Sequence, residues 1–305
     1  MDDGARRDRL MATLSCVGFG YSAAHYVAAF GHRFDRVIGT TRTLDKPAEP
    51  HGRPQLELVA FDGSTASPEL VARIEESDSL LISAPPGSHG DPVLACLADA
   101  IARGRARNIV YLSTIGVYGD RGGDWVDEES EPRPGSPRSA ARLAAEEAWR
   151  GLGAATKKRV AILRLAGIYG PGRNALVTLA DGTARRIVKP GQVFNRIHVA
   201  DIAQAIAACF VQGAEGVFNA ADDEPAPPQD VIAFAAELLG IAPPPEIPFD
   251  QARGTMSAMA QSFYAENRRV RNAKLKTALG VRLAYPTYRD GLRALFAAGE
   301  GRAKR

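Results

Sequence analysis

The chain has 305 residues, 45% of them hydrophobic and 24% charged, with a formal net charge of +3. That describes a soluble globular protein able to bury one large core, or a domain with a smaller lobe, and gives no reason to expect a nucleic-acid partner. Residues 1–10 are charged and no apolar run is long enough to span a bilayer, so a cytoplasmic protein with no membrane partner is expected. Three cysteines, Cys16, Cys96 and Cys209, form neither a disulfide framework nor a metal-binding pattern; they are expected as small core residues, and no metal site is expected.

Beyond a tail expected to be mobile, a strand is predicted over 13–17 and a helix over 21–30, with Gly31 as its C-cap. Between them lies Gly18-Phe19-Gly20-Tyr21-Ser22-Ala23, a Gly-x-Gly-x-x-Ala turn at the end of the chain's first apolar run. Gly18 permits the tight turn, Gly20 removes a side chain that would block a pyrophosphate, and Ala23 lets helix and strand pack closely. The anion would rest on free amides at the positive end of the helix. A second strand, 36–39, runs into Thr40-Thr41-Arg42, where this fold meets the adenosine 2′ position. With no acid to bond a ribose diol and a guanidinium suited to a 2′-phosphate, the reading leans to NADP, with NAD as the alternative.

Residues 56–61 alternate as a strand ending in the Asp62-Gly63 turn. Ser67-Pro68 and Asp91-Pro92 each pair an N-cap with proline at the first helical position, and 79–83 is a short buried strand leading into Ala84-Pro85. A fifth strand covers 108–112. Strands separated by helices imply parallel crossovers, hence an α/β fold with a doubly wound parallel sheet. Ligands in such sheets bind beyond the carboxyl ends of the strands. There the chain reads Ser113-Thr114-Ile115-Gly116-Val117-Tyr118-Gly119, then an acidic, proline-rich loop and a helix over 139–150. A sixth strand, 160–165, precedes Gly167-Ile168-Tyr169-Gly170-Pro171-Gly172. Beyond it a helix over 174–181, an extended stretch over 186–195, a helix capped by Asp201 and another begun by Ala226-Pro227-Pro228 are expected. From Arg268 onward 11 Lys and Arg stand against 2 Asp and Glu, densest in Asn267-Arg268-Arg269-Val270-Arg271, and the terminus from Gly299 is expected to fray.

The Gly18 turn, Ser113-Thr114 with Val117-Tyr118-Gly119, Arg164 with Tyr169-Gly170-Pro171-Gly172, and Arg196-Ile197-His198-Val199-Ala200-Asp201 together resemble the extended short-chain dehydrogenase/reductases, the family of sugar-nucleotide epimerases and dehydratases. The likeness continues through Gly216-Val217-Phe218-Asn219 to Asn272-Ala273-Lys274-Leu275. It implies a Rossmann domain over 11–170, completed by 195–222, and a smaller C-terminal substrate-side lobe from 171–194 and 223–305. The implied cofactor contacts are Gly18, Phe19, Gly20, Tyr21, Ser22, Ala23, Thr41, Arg42, Asp62, Ala84, Pro85 and Arg142. The implied partners are a small-molecule substrate, a sugar nucleotide or another anion, and a second copy in a homodimer.

The same resemblance exposes a departure. The family carries Tyr-x-x-x-Lys ahead of Leu-Ala-Ala-Glu; here Arg138-Ser139-Ala140-Ala141-Arg142 precedes Leu143-Ala144-Ala145-Glu146. Arginine neither gives nor takes a proton near neutral pH, so the usual acid–base chemistry is absent. Thr114 remains to orient a substrate oxygen, Arg142 is suited to ribose hydroxyls and Arg138 to an anionic substrate. Tyr118 is the nearest alternative proton donor; His198 has a suitable ordinary pKa but sits in a setting that reads as structural. Two functions follow: an NADP-dependent oxidoreductase or epimerase/dehydratase-like protein with altered catalysis, or a dinucleotide sensor without turnover.

Overall fold

The structure, a computed structural model, describes residues 11–44 and 55–302. The expected N-terminal tail lies outside the described residues. Strand β1 (Met11–Val17) passes through the glycine turn into α1 (Tyr21–Phe30), and β2 (Phe34–Thr41), β3 (Gln55–Ala60), α2 (Pro68–Glu75), β4 (Ser79–Ile82), α3 (Pro92–Arg103) and β5 (Asn108–Thr114) follow. Next come β6 (Trp125–Val126), α4 (Pro137–Thr156), β7 (Arg159–Leu165), β8 (Gly167–Tyr169), α5 (Ala175–Ala180), β9 (Arg186–Val188), β10 (Arg196–His198), α6 (Val199–Gln212) and β11 (Gly216–Ala220). The chain closes with α7 (Pro228–Leu239), β12 (Glu246–Pro248), α8 (Phe249–Arg253), α9 (Ala258–Ala265), β13 (Arg269–Val270), α10 (Ala273–Leu279) and α11 (Tyr288–Ala297).

Seven parallel strands form one sheet in the order β3-β2-β1-β4-β5-β7-β11, which reverses direction between β1 and β4. This is the doubly wound Rossmann arrangement, with its ligand crevice beyond that switch point. Side chains alternate across each strand and fill two cores. Leu14, Cys16, Val110, Leu112 and Leu163 face α1, α6 and α10, whereas Val17, Ile109, Tyr111 and Ile162 face α2, α3 and α4. Both Cys16 and Cys209 are buried thiols, and Cys96 is partly buried.

The cap-and-proline signals act as read. The Ser67 hydroxyl accepts from the Leu70 amide, and the Asp91 carboxylate accepts from the Val93 and Leu94 amides. Asp91 also accepts from the Trp149 indole at 3.0 Å, tying α3 to α4 through a side chain that stacks on Tyr111. Asp201 does not cap α6: His198 occupies that position, accepting from the Ala200 amide, while Asp201 lies one turn in and accepts from the Ala284 and Tyr285 amides. Nor does the chain fray from Gly299 through Arg302. The Glu300 carboxylate accepts from the Gly172 amide and the Asn174 side chain, and Gly301 packs against Leu176 and Leu239. No described helix is long and apolar enough to cross a membrane.

Candidate dinucleotide and substrate site

The glycine turn has the geometry its sequence requires. Gly18 adopts φ +91°, and a Cβ there would stand 2.6 Å from the Ala84 amide nitrogen, so both conformation and space demand glycine. Thr40 secures the turn, its hydroxyl accepting from the Gly18 amide and its carbonyl from the Phe19 amide. Gly20 is exposed, with nothing within 4 Å of where a Cβ would project. It is also the N-cap of α1, which has no side-chain cap and no acid in its first turn. The first amides of α1 are therefore left for an external anion. Ala23 is fully buried against the sheet, and the Phe19 ring lies close over Gly39 of β2.

A cavity of about 560 Å³ opens beside this turn, beyond the carboxyl ends of β4, β5 and β7. Ser22, Thr114, Arg138 and Arg142 line it from the sheet side, and Tyr169, Arg173, Phe194, Phe263 and Arg268 from the later chain. The Arg142 guanidinium donates to the Leu112 carbonyl at 2.8 Å and to the Tyr111 hydroxyl at 3.2 Å through one nitrogen, which fixes the side chain against the end of β5. Its other N–H groups remain for a ligand. The Thr114 hydroxyl accepts from the Gly116 amide, which leaves its own proton free to donate.

Other sequence-derived residues lie elsewhere. Thr41 ends β2, its hydroxyl donating to the Thr43 carbonyl, and Arg42 follows as an exposed side chain. Asp62, beyond β3, accepts from the Ser64 amide and hydroxyl, which hold its carboxyl below the usual range. Ala84 backs Gly18, and Pro85 is exposed. These five sit outside the lining of the cavity, at the carboxyl ends of β2, β3 and β4. Tyr118 is not in the cavity at all: it is fully buried, donates to the Asn219 side chain at 2.8 Å and lies under the Arg164 guanidinium, and burial pushes its hydroxyl above its ordinary pKa.

The basic cluster is neither a solvated face nor an open anion clamp. Arg268 donates to the Gly119 carbonyl and the Glu266 carboxylate, Arg269 donates to the Gly123 carbonyl, and Arg271 covers the Trp125 ring. Together with the β6–β13 pairing, these bonds hold the late chain against the loop after β5 and so build the cavity's outer wall. Sequence reading missed Phe194, Phe263 and Glu266 as wall residues. Nothing near them repeats or spaces out like a motif; the bridge of Phe194 to Ala226 and the pairing of β13 with β6, both distant in sequence, bring them in.

His198 is a structural histidine. Its Nδ1 accepts from the Ala200 amide, its Nε2 is buried with no partner among the described residues, and the ring packs between Tyr169 and Tyr285. Burial, with a smaller push from His25, lowers its pKa to about 4. The unfolded chain takes up this proton near pH 6.5. Stability from the neutral ring is thus complete above about pH 6.5 and falls as pH drops toward 4. Asp222, pushed up to about 8 chiefly by burial, contributes a slope of the opposite sign. We therefore expect His198→Asn, which keeps a cap, to flatten the fall in melting temperature of the natural chain between pH 6.5 and 4.5. Parallel profiles for the two chains would assign the slope to other groups.

The switch-point crevice, open glycine turn and adjoining cavity define a Rossmann-fold protein of the NAD(P)-binding class. Comparison with known proteins agrees: residues 94–221 match the family described as the NAD dependent epimerase/dehydratase family. The chain belongs to that family. It is 44% identical to a conserved protein of unknown function from Silicibacter pomeroyi DSS, over 95% of this chain and 99% of that one, with a TM-score of 0.80. Among curated proteins, 3-diazoavenalumate denitrifying reductase from a Streptomyces species is 27% identical, over 93% of this chain and 94% of the relative. MoeE5, solved in complex with UDP-glucose and NAD, shares the fold at 21% identity and a TM-score of 0.74, covering 94% of this chain and 98% of that one.

Proposed function

We propose that this chain is an NADP(H)-dependent reductase that works without the tyrosine–lysine pair of its family. The observation that carries the reading is the open Gly20 turn, whose uncapped α1 amides adjoin a cavity containing Thr114 and Arg142. In this reading the backbone of 18–23 holds the diphosphate and Arg42 the 2′-phosphate. Asp62, Ala84 and Pro85 flank the adenosine half, and Arg142 bonds the ribose hydroxyls. The bound dinucleotide supplies a hydride. Thr114 orients the substrate by donating its free hydroxyl proton as a hydrogen bond, and residues 171–194 and 223–305 form the substrate side.

Neither Arg138 nor Arg142 transfers a proton near neutral pH, and Tyr118, committed to Asn219, drops out as a donor. Reduction of a centre that accepts hydride without a side-chain acid fits this residue set better than epimerisation does. The relative named as a denitrifying reductase of a diazo compound supports that preference. The second reading, a dinucleotide sensor, is favoured by the same two arginines and separates from the first by absence of turnover. Calorimetric titration with NADPH and NADH tests the common part. Tight NADPH binding is expected, and Arg42→Ala is expected to weaken NADPH about tenfold or more with little effect on NADH, as loss of a charge-assisted phosphate contact requires. Equal weakening of both would refute the 2′-phosphate role, and absence of binding would refute the reductase and the sensor together.

A further inference from the structure

Five arginines and one carboxylate, Glu266, line the cavity. Three of the arginines are engaged by hydrogen bonds or an ion pair. Arg142 is fixed to the end of β5, Arg196 donates to the Phe194 and Ala226 carbonyls, and Arg268 is cancelled by Glu266. Arg173 lies over the Tyr21 ring beside the glycine turn, where a diphosphate would use it. Arg138 is left, exposed in the first turn of α4, with no side-chain hydrogen bond or ion pair among the described residues.

The cavity that Arg138 lines also carries apolar side chains from the later chain. A Cβ on Gly135, two residues before α4, would lie 2.9 Å from the Glu266 carboxylate, so the turn that launches α4 touches the segment that ends α9. One turn back on α9, Phe263 is 58% exposed yet forms part of the cavity wall, as do Phe194 and Ile168. An exposed phenylalanine on a concave wall gains by being covered, and a flat ring covers it well.

We propose that the cavity takes an aromatic carboxylate, its carboxylate held by the Arg138 guanidinium and its ring laid against Phe263 and Phe194. The planar fork of arginine matches a carboxylate bidentately. One unpaired cation away from the glycine turn suits one negative charge; Arg173, the other cavity arginine outside any hydrogen bond or ion pair among the described residues, lies over Tyr21 beside that turn, where the dinucleotide would take it. The inference deepens the reductase reading, on which it rests for taking this cavity as the substrate side.

The test is calorimetric titration of the full chain, with and without saturating NADPH, using cinnamate, cinnamamide and UDP as probes. Cinnamate is expected to bind and cinnamamide to bind at least tenfold more weakly. Arg138→Ala and, separately, Phe263→Ala are expected to weaken cinnamate at least tenfold while leaving NADPH affinity and the melting temperature unchanged; both side chains are exposed, so folding is not at stake. Equal binding of acid and amide, tighter binding of UDP than of cinnamate, indifference of cinnamate to Arg138→Ala, or no cinnamate binding overturns the proposal. A chain that binds cinnamate as expected but no dinucleotide would overturn the reductase reading and leave the carboxylate site standing. One that binds NADPH but not cinnamate would do the reverse.

Discussion

Gly20→Asp is expected to fold with unchanged stability and to lose dinucleotide binding by about 100-fold or more. The position is exposed and its Cβ direction is empty, so the new side chain displaces nothing. Its carboxylate would stand at the uncapped start of α1, where it would itself occupy the free amides and set a like charge against the diphosphate. Like-charge juxtaposition at such a site costs several kcal/mol, and each 1.4 kcal/mol is about tenfold in affinity. Gly18→Ala should behave in the opposite way, losing stability first. Its φ of +91° and the 2.6 Å approach to Ala84 strain the native turn, whether or not a ligand is present. Calorimetry with NADPH and thermal melts on both variants separate the two effects. A Gly20→Asp chain that binds as tightly as the natural one would remove the diphosphate assignment.

The second large effect is expected just behind the cavity, where Ser113 of its lining meets a buried ion pair. Glu146 of α4 and Arg164 of β7 form a buried pair at 2.7 Å, with Ser113 donating to the same carboxylate. Their side chains are 2% and 5% exposed, and one Arg164 nitrogen already lacks a partner among the described residues. Glu146→Ala leaves the guanidinium buried and uncompensated, and should destabilise the fold by about 3–5 kcal/mol. Joint replacement, Glu146→Leu with Arg164→Met, should recover most of that loss, because apolar packing replaces two desolvated charges. Urea denaturation of the single and double variants reads both outcomes. A loss below about 1 kcal/mol for Glu146→Ala would mean that water reaches the pair, and would weaken the case that it fixes α4, and with it Arg138 and Arg142, against the sheet.

These two residues also show why some of the molecule was legible from its letters and some was not. The sheet order, the glycine turn and the capped helices rest on local chemistry: a glycine where φ is positive, a hydroxyl or carboxylate three residues before the amide it caps, a period of two in each strand. Such signals lie within a few residues of one another. Tyr118 misled for the opposite reason. Its position after β5 is local information, but its burial depends on Asn219 and Arg164, which are 101 and 46 positions away. The arginines of 268–271 stand out in the sequence only as charge, because the acceptors of Arg268 and Arg269, the carbonyls of Gly119 and Gly123, carry no signature there. Backbone oxygens are present at every residue, and only the fold selects which ones a guanidinium meets.

The late position of β13 has a consequence for how the molecule is made. All seven strands of the large sheet have been synthesised once Ala220 is reached, together with the glycine turn and the helices that cover both faces up to α6. The segment that closes the outer wall, from α9 to the β6–β13 pairing, arrives about fifty residues later. At ordinary translation rates of about 5–20 residues per second, that is an interval of roughly 3–10 s. A nascent chain during that interval holds the glycine turn and all seven sheet strands while β6 still waits for β13, so, under the function proposed above, a dinucleotide would be the first ligand the growing polypeptide could hold.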